Sequence, residues 1–379
     1  MLLCLSKTVD SNLFFSALLL FSIAVVGFLS SIGANNTPYE IVKDIIYFIR
    51  PITIMLASYL LVKRISSLNY IFNVVVVVAL FFALKHITVL VVNFDIIESH
   101  ISLRSLGGKH NHVEMMALIF LLFTPNVTIF KKYRKLILFI LFASFLLYLS
   151  RTMFVVLLIF YLGYKGYLFL NKKLIKGLFV LIPVVAITII VISSIETHRD
   201  SQGIDGFIYK LQNSFTELFE PFDIDKVKRD KRGLWEHWRA FETQKALKQI
   251  NESGIKGWSV GLGFGSLVDL ETTVKMQGQF FTELPTIHNG FSHVLFKTGI
   301  LGLMLYLLFM FLIFLMHQKF NHGKNLTLFD KLLVATSLYM FFNSFVITGI
   351  FRPGEFSMFL YGVLIAAKAR YLVTSTSID

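Results

Sequence analysis

Leu284-Pro285-Thr286-Ile287-His288-Asn289-Gly290 closes the longest polar stretch of the chain, and residues 291–316 behind it are apolar enough to enter a bilayer. How this junction is read decides the fold. Histidine changes charge near neutral pH, and polar groups are costly in hydrocarbon. An imidazole at the edge of a membrane span is therefore where chemistry is expected. Comparable apolar runs recur along the chain, several approaching the ~20 residues that cross a hydrocarbon core as helix.

The composition agrees. Of 379 residues, 55% are hydrophobic, 40 are Phe and only 16% are charged, less charge than a soluble domain carries. The net charge of +13 does not point to nucleic acid. The basic residues sit in short loops beside apolar runs, as the positive-inside rule requires. Cys4 is the only cysteine, which excludes an intramolecular disulfide, so loops on an oxidising side fold without one. Ser31-Ile32-Gly33-Ala34 resembles a cleavage site, but the run before it is long, has only Lys7 in its flank and is followed by more spans. It is read as a span, not a leader.

Ten spans are expected, at 12–32, 45–62, 69–92, 113–130, 136–149, 153–170, 178–195, 291–316, 332–350 and 356–368. The basic groups Lys63-Arg64, Lys131 to Lys135, Lys172-Lys173, Lys319 with Lys324 and Lys331, and Lys368 with Arg370 then share the cytoplasmic side. Residues 1–195 form N-terminal transmembrane helices, 196–290 one large outer loop and 291–379 C-terminal transmembrane helices. As one helix, 136–170 would be ~50 Å long, beyond a ~30 Å core. A hairpin turning at Ser150-Arg151-Thr152 is expected instead. Arg50, next to Pro51, and Lys85-His86 lie inside spans and point to a polar cavity, whereas Lys165 and Lys297 are read as snorkelling.

In the outer loop, Phe207, Ile208, Leu211, Phe215, Leu218 and Phe219 recur at helical spacing, as in an interfacial helix. A second helix over 234–250 places Leu234, Trp238 and Phe241 on one face, and Gly254 and Gly257 break it. The run Gly261-Leu262-Gly263-Phe264-Gly265 lacks the strand–helix context of a nucleotide loop and is read as a tight turn that aims His288.

His288 can accept a proton from a sugar hydroxyl or simply hold that hydroxyl. Arg239 can bind a diphosphate bidentately, or merely pair with Glu236 and Glu242 three positions away and stack on Trp235. Arg151, beside Ser150, has the same two readings. Arg229 and Arg232 belong to a basic run that is either a solvated face or a clamp on anionic lipid. Asp223 and Asp225 are spaced like metal-holding aspartates, and His110, His112 and Glu114 like metal ligands, but hydrated loop groups are commoner than either. No Ser-His-Asp spacing is present.

Three pieces together resemble the bacterial O-antigen ligase and O-antigen polymerase superfamily. They are His288-Asn289 followed at a fixed distance by Gly299-Ile300-Leu301-Gly302, Trp238-Arg239-Ala240-Phe241-Glu242 followed by 261–270, and Leu149-Ser150-Arg151-Thr152 opening a span. Many relatives place an arginine four or five residues before the loop tryptophan. Here Leu234 and Gly233 stand there and Arg232 one position further back, so the diphosphate-binding arginine is open between Arg239 and Arg232.

The resemblance implies an all-α polytopic membrane protein of ten to twelve helices with one large periplasmic loop, of the lipid-sugar-dependent glycosyltransferase type. It implies a metal-independent, inverting transfer without cofactor, on the periplasmic side of the inner membrane. The donor is an undecaprenyl-diphosphate-linked oligosaccharide. The acceptor is a lipid-linked repeat unit (polymerase, the favoured reading) or lipid A–core (ligase). Membrane lipids and a chain-length regulator are further implied partners, and nucleic acid is not. His288 is assigned to the acceptor hydroxyl, Asn289 to orienting His288, and Arg239, Arg151 and Arg232 to the diphosphate. A flippase is the distant alternative, against which the absence of two related halves counts.

Overall fold

The computed structural model describes residues 10–94, 110–124, 127–129, 131–148, 150–170, 237–276, 279–318 and 326–376, with isolated positions at 179, 183, 187, 190, 191, 194–196, 208, 209 and 234. The chain divides into two compact units. One comprises Met1–Arg64, Phe222–Lys319 and Leu332–Asp379, and the other Ile65–Pro221 and Phe320–Lys331.

The second unit holds α3 (Leu68–Val92), α4 (Asn111–Phe123), α5 (Arg134–Leu147) and α6 (Arg151–Lys165). The 136–170 stretch is broken at 148–150, as its length demands. Arg134 at the start of α5 reaches the carbonyls of Leu121 and Thr124 beyond the middle of α4, and Tyr164 near the end of α6 stacks on Phe123 at 4.9 Å. Both outer ends thus lie level with the same end of α4, so α5 and α6 form a hairpin. Beneath its turn a buried polar group joins three helices. His86 Nδ1 lies 2.8 Å from Ser144 Oγ, and the Tyr148 hydroxyl donates to Glu114 at 3.1 Å.

The first unit holds α1 (Ser11–Ser30), α2 (Pro38–Arg64), α7 (Trp238–Glu252), α8 (Gly254–Val260), β1 (Val268–Met276), β2 (Gln279–Leu284), α9 (Gly290–Leu315), α10 (Leu328–Val346, from Leu332 onward) and α11 (Ser357–Thr376). Among the described residues four helices are long and apolar enough to cross a membrane: α1, α2, α3 and α9. The expected span at 178–195 and interfacial helix at 207–219 lie almost wholly outside the described residues.

The described residues are mostly helical, as expected of an all-α membrane protein, with one two-stranded exception. β1 and β2 pair antiparallel, with a register shift between Asp269 and Val274 where Glu271 adopts φ 51°. Their inner face joins Trp238, Phe241 and Ile250 of α7 with Val268, Leu270, Val274, Leu284 and Ile287 in one small core. A small correction concerns Gly257, which does not break the loop helix. The break is at Gly254, and Gly257 lies inside α8.

The larger correction concerns the expected span at 291–316. Gly299 has φ 65° and ψ −168°, outside any helical region, and the chain folds back on itself there. Phe291 and Tyr306 are 15 residues apart, ~22 Å along a straight helix, yet their ring centroids are 5.8 Å apart. Asp44 pairs with Lys297 at 2.6 Å while Phe48 meets His293 at 5.6 Å. The first arm (290–298) therefore runs antiparallel to α2, before the second arm (300–315) reverses. Only glycine tolerates this backbone, and a Cβ at Gly299 would sit 2.5 Å from the Gly261 nitrogen. The carbonyls that end the first arm are capped by the glycine loop, with Leu262 N–H donating to Phe296 O at 2.9 Å and Gly263 N–H to Lys297 O at 3.1 Å. Lys297 does not snorkel. It is 1% exposed and bound to Asp44, which also accepts from Gly265 N–H at 2.7 Å.

Candidate active site

The first arm opens with His288 and Asn289. The Asn289 Oδ1 accepts from Ser292 N–H at 3.0 Å, which makes it the N-cap of the arm. The connection from α10 to α11 holds the other side. The Thr348 hydroxyl donates to Ile287 O at 2.9 Å, and Gly290 lies so close that an added Cβ would be 3.1 Å from the Thr348 carbonyl carbon. His288 is thus level with that connection, recessed from the glycine loop by the length of the arm. Nine residues at ~1.5 Å each make this ~13 Å.

Glu242 decides the geometry of the ring. It lies on the inner face of α7, four residues after Trp238 and beside Phe241. Its carboxylate accepts from the His288 backbone N–H at 2.9 Å and lies 2.9 and 3.0 Å from ring Nδ1. The carboxylate side chain is fully buried while the imidazole is 52% exposed. A buried carboxylate needs charged or hydrogen-bonded partners, and this one takes two hydrogen bonds from His288, one from the backbone N–H and one from the ring. Nδ1 carries the proton it donates, so Nε2 of the neutral ring is left with its lone pair free to accept from a hydroxyl. When the ring takes up that proton, the carboxylate offsets the positive charge.

The base of this pair is braced from the next turn of α7. Lys245, 2% exposed, and Lys248 both grip Glu271 at the strand irregularity, at 2.5 and 2.6 Å. Hydrogen bonds from the two lysines pull the Glu271 carboxyl down to about 2. Thr243 Oγ1 lies 3.4 Å from Ser292 Oγ and joins α7 to the arm.

Arg239 is exposed on α7, three residues before Glu242, and makes no ion pair among the described residues. Helical geometry puts their Cβ atoms ~5–6 Å apart, so Arg239 stands beside the Glu242–His288 pair. Glu236 and Arg232 lie outside the described residues. Arg151 begins α6 behind the buried Ser150 and belongs to the other unit. The His110 ring stacks on Phe82 at 3.8 Å and Glu114 accepts from Tyr148. Among the described residues no three His, Cys, Asp or Glu side chains gather as metal ligands.

Residues 136–307 match the family described as O-antigen ligase. The chain carries an O-antigen ligase domain. No curated protein matches the chain as a whole or in part. The domain takes in Arg151, Arg239, Glu242, His288 and Asn289, and ends inside the second arm of α9. The match supports the ligase and polymerase superfamily that the motifs resembled, and with the apolar helices it points to a membrane protein with a ligase- or polymerase-like activity.

The sequence reading missed Glu242 as the partner of His288. A signal was present, since an acidic residue shares the buried stripe of Trp238, Phe241 and Lys245, a face on which charge needs a reason.

Proposed function

We propose that this protein is an inverting membrane glycosyltransferase that extends a surface polysaccharide from an undecraprenyl-diphosphate-linked donor, at the outer face of the inner membrane. The observation that carries the reading is the half-exposed imidazole of His288, anchored through Nδ1 to a buried carboxylate with Nε2 free. The acceptor hydroxyl oxygen attacks the anomeric carbon in line with the bond to the diphosphate oxygen. That bond breaks, its electron pair leaves with the lipid diphosphate, and the hydroxyl proton passes to Nε2 of His288. Inversion at the anomeric carbon follows from this single displacement. The diphosphate is already a good leaving group, so positioning and charge stabilisation are the protein's main tasks. Arg239 is the guanidinium beside the pair, and Arg232 is a further candidate for the same anion.

The polymerase reading, in which a lipid-linked repeat unit is the acceptor, rests on the stretch from Trp238 to Leu270. The second reading is a ligase that delivers the chain to lipid A–core, and the matched family does not separate the two. The lipopolysaccharide ladder of a deletion strain separates them. A polymerase mutant keeps one repeat on the core, whereas a ligase mutant shows bare core and retains lipid-linked polymer. His288→Ala should abolish transfer while lipid-linked units still reach the outer face. If those units collect inside instead, the protein is a flippase and the enzymatic proposal fails.

A further inference from the structure

Arg50 is a cation inside a candidate span, and the reaction proposed above gives it no task. Its Nη2 donates to Phe351 O at 2.8 Å, and its guanidinium lies 5.4 Å from the Tyr47 ring centre. The next residue, Arg352, is half-buried and donates no side-chain hydrogen bond among the described residues. Glu355 lies near enough to attract both guanidiniums. Its carboxylate is already engaged, however, accepting from Ser357 N–H at 2.8 Å and Ser357 Oγ at 2.6 Å, and it forms no ion pair with either arginine. Among the described residues neither guanidinium is ion-paired, Glu355 and the Tyr339 hydroxyl that it binds are the groups whose field reaches Arg352, and Arg50 uses one N–H donor on Phe351 O, so most of their N–H donors have no acceptor there. The buried cations Lys297 and Lys245 of this unit, by contrast, are neutralised by Asp44 and Glu271.

The place matters as much as the charge. Thr348 binds the carbonyl of Ile287, the residue before His288. Arg352 follows Thr348 by four residues, at most ~14 Å of extended chain, and the 3-10 turn Gly349–Phe351 between them shortens this. Phe351 carries Arg50 on its carbonyl. Both cations therefore stand on the segment that holds the histidine in position.

We propose that Arg50 and Arg352 form an anion subsite for the diphosphate of a polyprenyl-linked sugar, next to His288 and separate from Arg239. The subsite rests on the reaction proposed above for its substrate class. A guanidinium matches phosphate oxygens in a planar fork and keeps its charge when half-buried, which suits a diphosphate brought to a recess below the loop.

The purified protein in lipid nanodiscs should bind undecaprenyl diphosphate roughly tenfold or more tightly than undecaprenol, the scale of one charged hydrogen bond. Arg352→Gln and Arg50→Gln should each erase most of that preference without lowering the melting temperature. Arg352→Lys should recover part of it. Inorganic pyrophosphate as competitor separates the sources: weak competition assigns the site to the lipid-linked form, and full competition assigns it to any diphosphate. Equal preference in wild type and both glutamine variants overturns the subsite, as does a wild type without preference. Loss of preference in the glutamine and lysine variants together with loss of melting temperature also overturns it, since the arginines then only hold the fold. His288→Ala keeps the two claims apart. Transfer that survives in that variant sinks the proposed reaction and leaves the subsite standing. Normal diphosphate binding by the arginine variants does the reverse.

Discussion

At the scale of single residues, the carboxylate behind His288 is the group whose role is most open to test. Glu242→Gln keeps an acceptor for the Nδ1 proton but removes the charge, whereas Glu242→Ala removes both. Transfer rates should fall in that order, by roughly 10²- to 10⁴-fold in the alanine variant, with the change in kcat rather than KM. An alanine variant with wild-type kcat would mean that the ring works without its partner. Asn289→Ala should behave differently, costing about 1 kcal/mol of stability through the lost helix cap. Glu271 gives a pH signature. Its folded-state carboxyl is depressed to about 2 from an ordinary 4.5, so its contribution is complete above the ordinary value and is lost as pH falls towards the depressed one. Hydrogen exchange should show α7 and the β-hairpin opening more readily in Glu271→Gln than in wild type at pH 7, with the gap closing between pH ~4.5 and ~2. A gap that does not change with pH would deny the lysine clamp. The histidine was legible in the sequence because a titratable group stood at a polar-to-apolar junction. Glu242 was not, because Arg239 and Lys245 offered nearer formal partners and burial cannot be read from helical spacing alone.

At the scale of elements, the helical hairpin at Gly299 carries the site. A pair of cysteines at Phe291 and Tyr306 should crosslink readily in the folded protein, although a straight helix would hold them ~22 Å apart. Failure to crosslink in a protein that still melts cooperatively would restore a single continuous span. Gly299→Ala should sharply reduce the yield of folded protein, since an added methyl meets backbone on the Ser259–Gly261 side and the positive φ costs a further 1–3 kcal/mol or so. Hydropathy found the boundaries of α1 and α3 to within two residues, because apolar length is what a bilayer selects, but it missed the first turns of α2, where Glu40, Lys43 and Asp44 lower the hydropathy. It could not find the reversal, because an apolar run has no direction. The strands were hidden for another reason. Residues 268–284 mix threonines, acids and a lysine, and Thr272 stands where the alternation of Val268, Leu270 and Val274 would call for an apolar side chain, beside the irregularity at Glu271.

At the scale of the whole molecule, the described part of the large loop, from residue 237 to 290, is not a module apart from the membrane helices. It contributes Glu242 to a histidine that begins a membrane arm, and its glycine loop caps that arm against α1 and α2. Its side of the membrane can be tested directly. Glu252 is 60% exposed at the end of α7. With Cys4 replaced by serine, a cysteine at Glu252 should react with an impermeant maleimide in cells whose outer membrane alone has been opened. Labelling only after the inner membrane is broken would put the site in the cytosol and end the proposed reaction. The membrane-protein character was legible because apolar runs long enough to cross a bilayer stand out in hydropathy. The way the N-terminal pair of helices joins the C-terminal ones was not, since it depends on contacts such as Asp44 with Lys297 across 253 positions of sequence.

With the site at a membrane as proposed, the reversal at Gly299 should also reshape the surrounding lipid. The second arm, 300–315, has 16 residues, ~24 Å of helix against a hydrocarbon thickness of ~30 Å. Such hydrophobic mismatch is relieved by local thinning of the bilayer. Headgroups of the outer leaflet would then dip beside the recess, and a membrane-bound sugar carrier would need to sink less far to bring its reactive carbon within range of the imidazole.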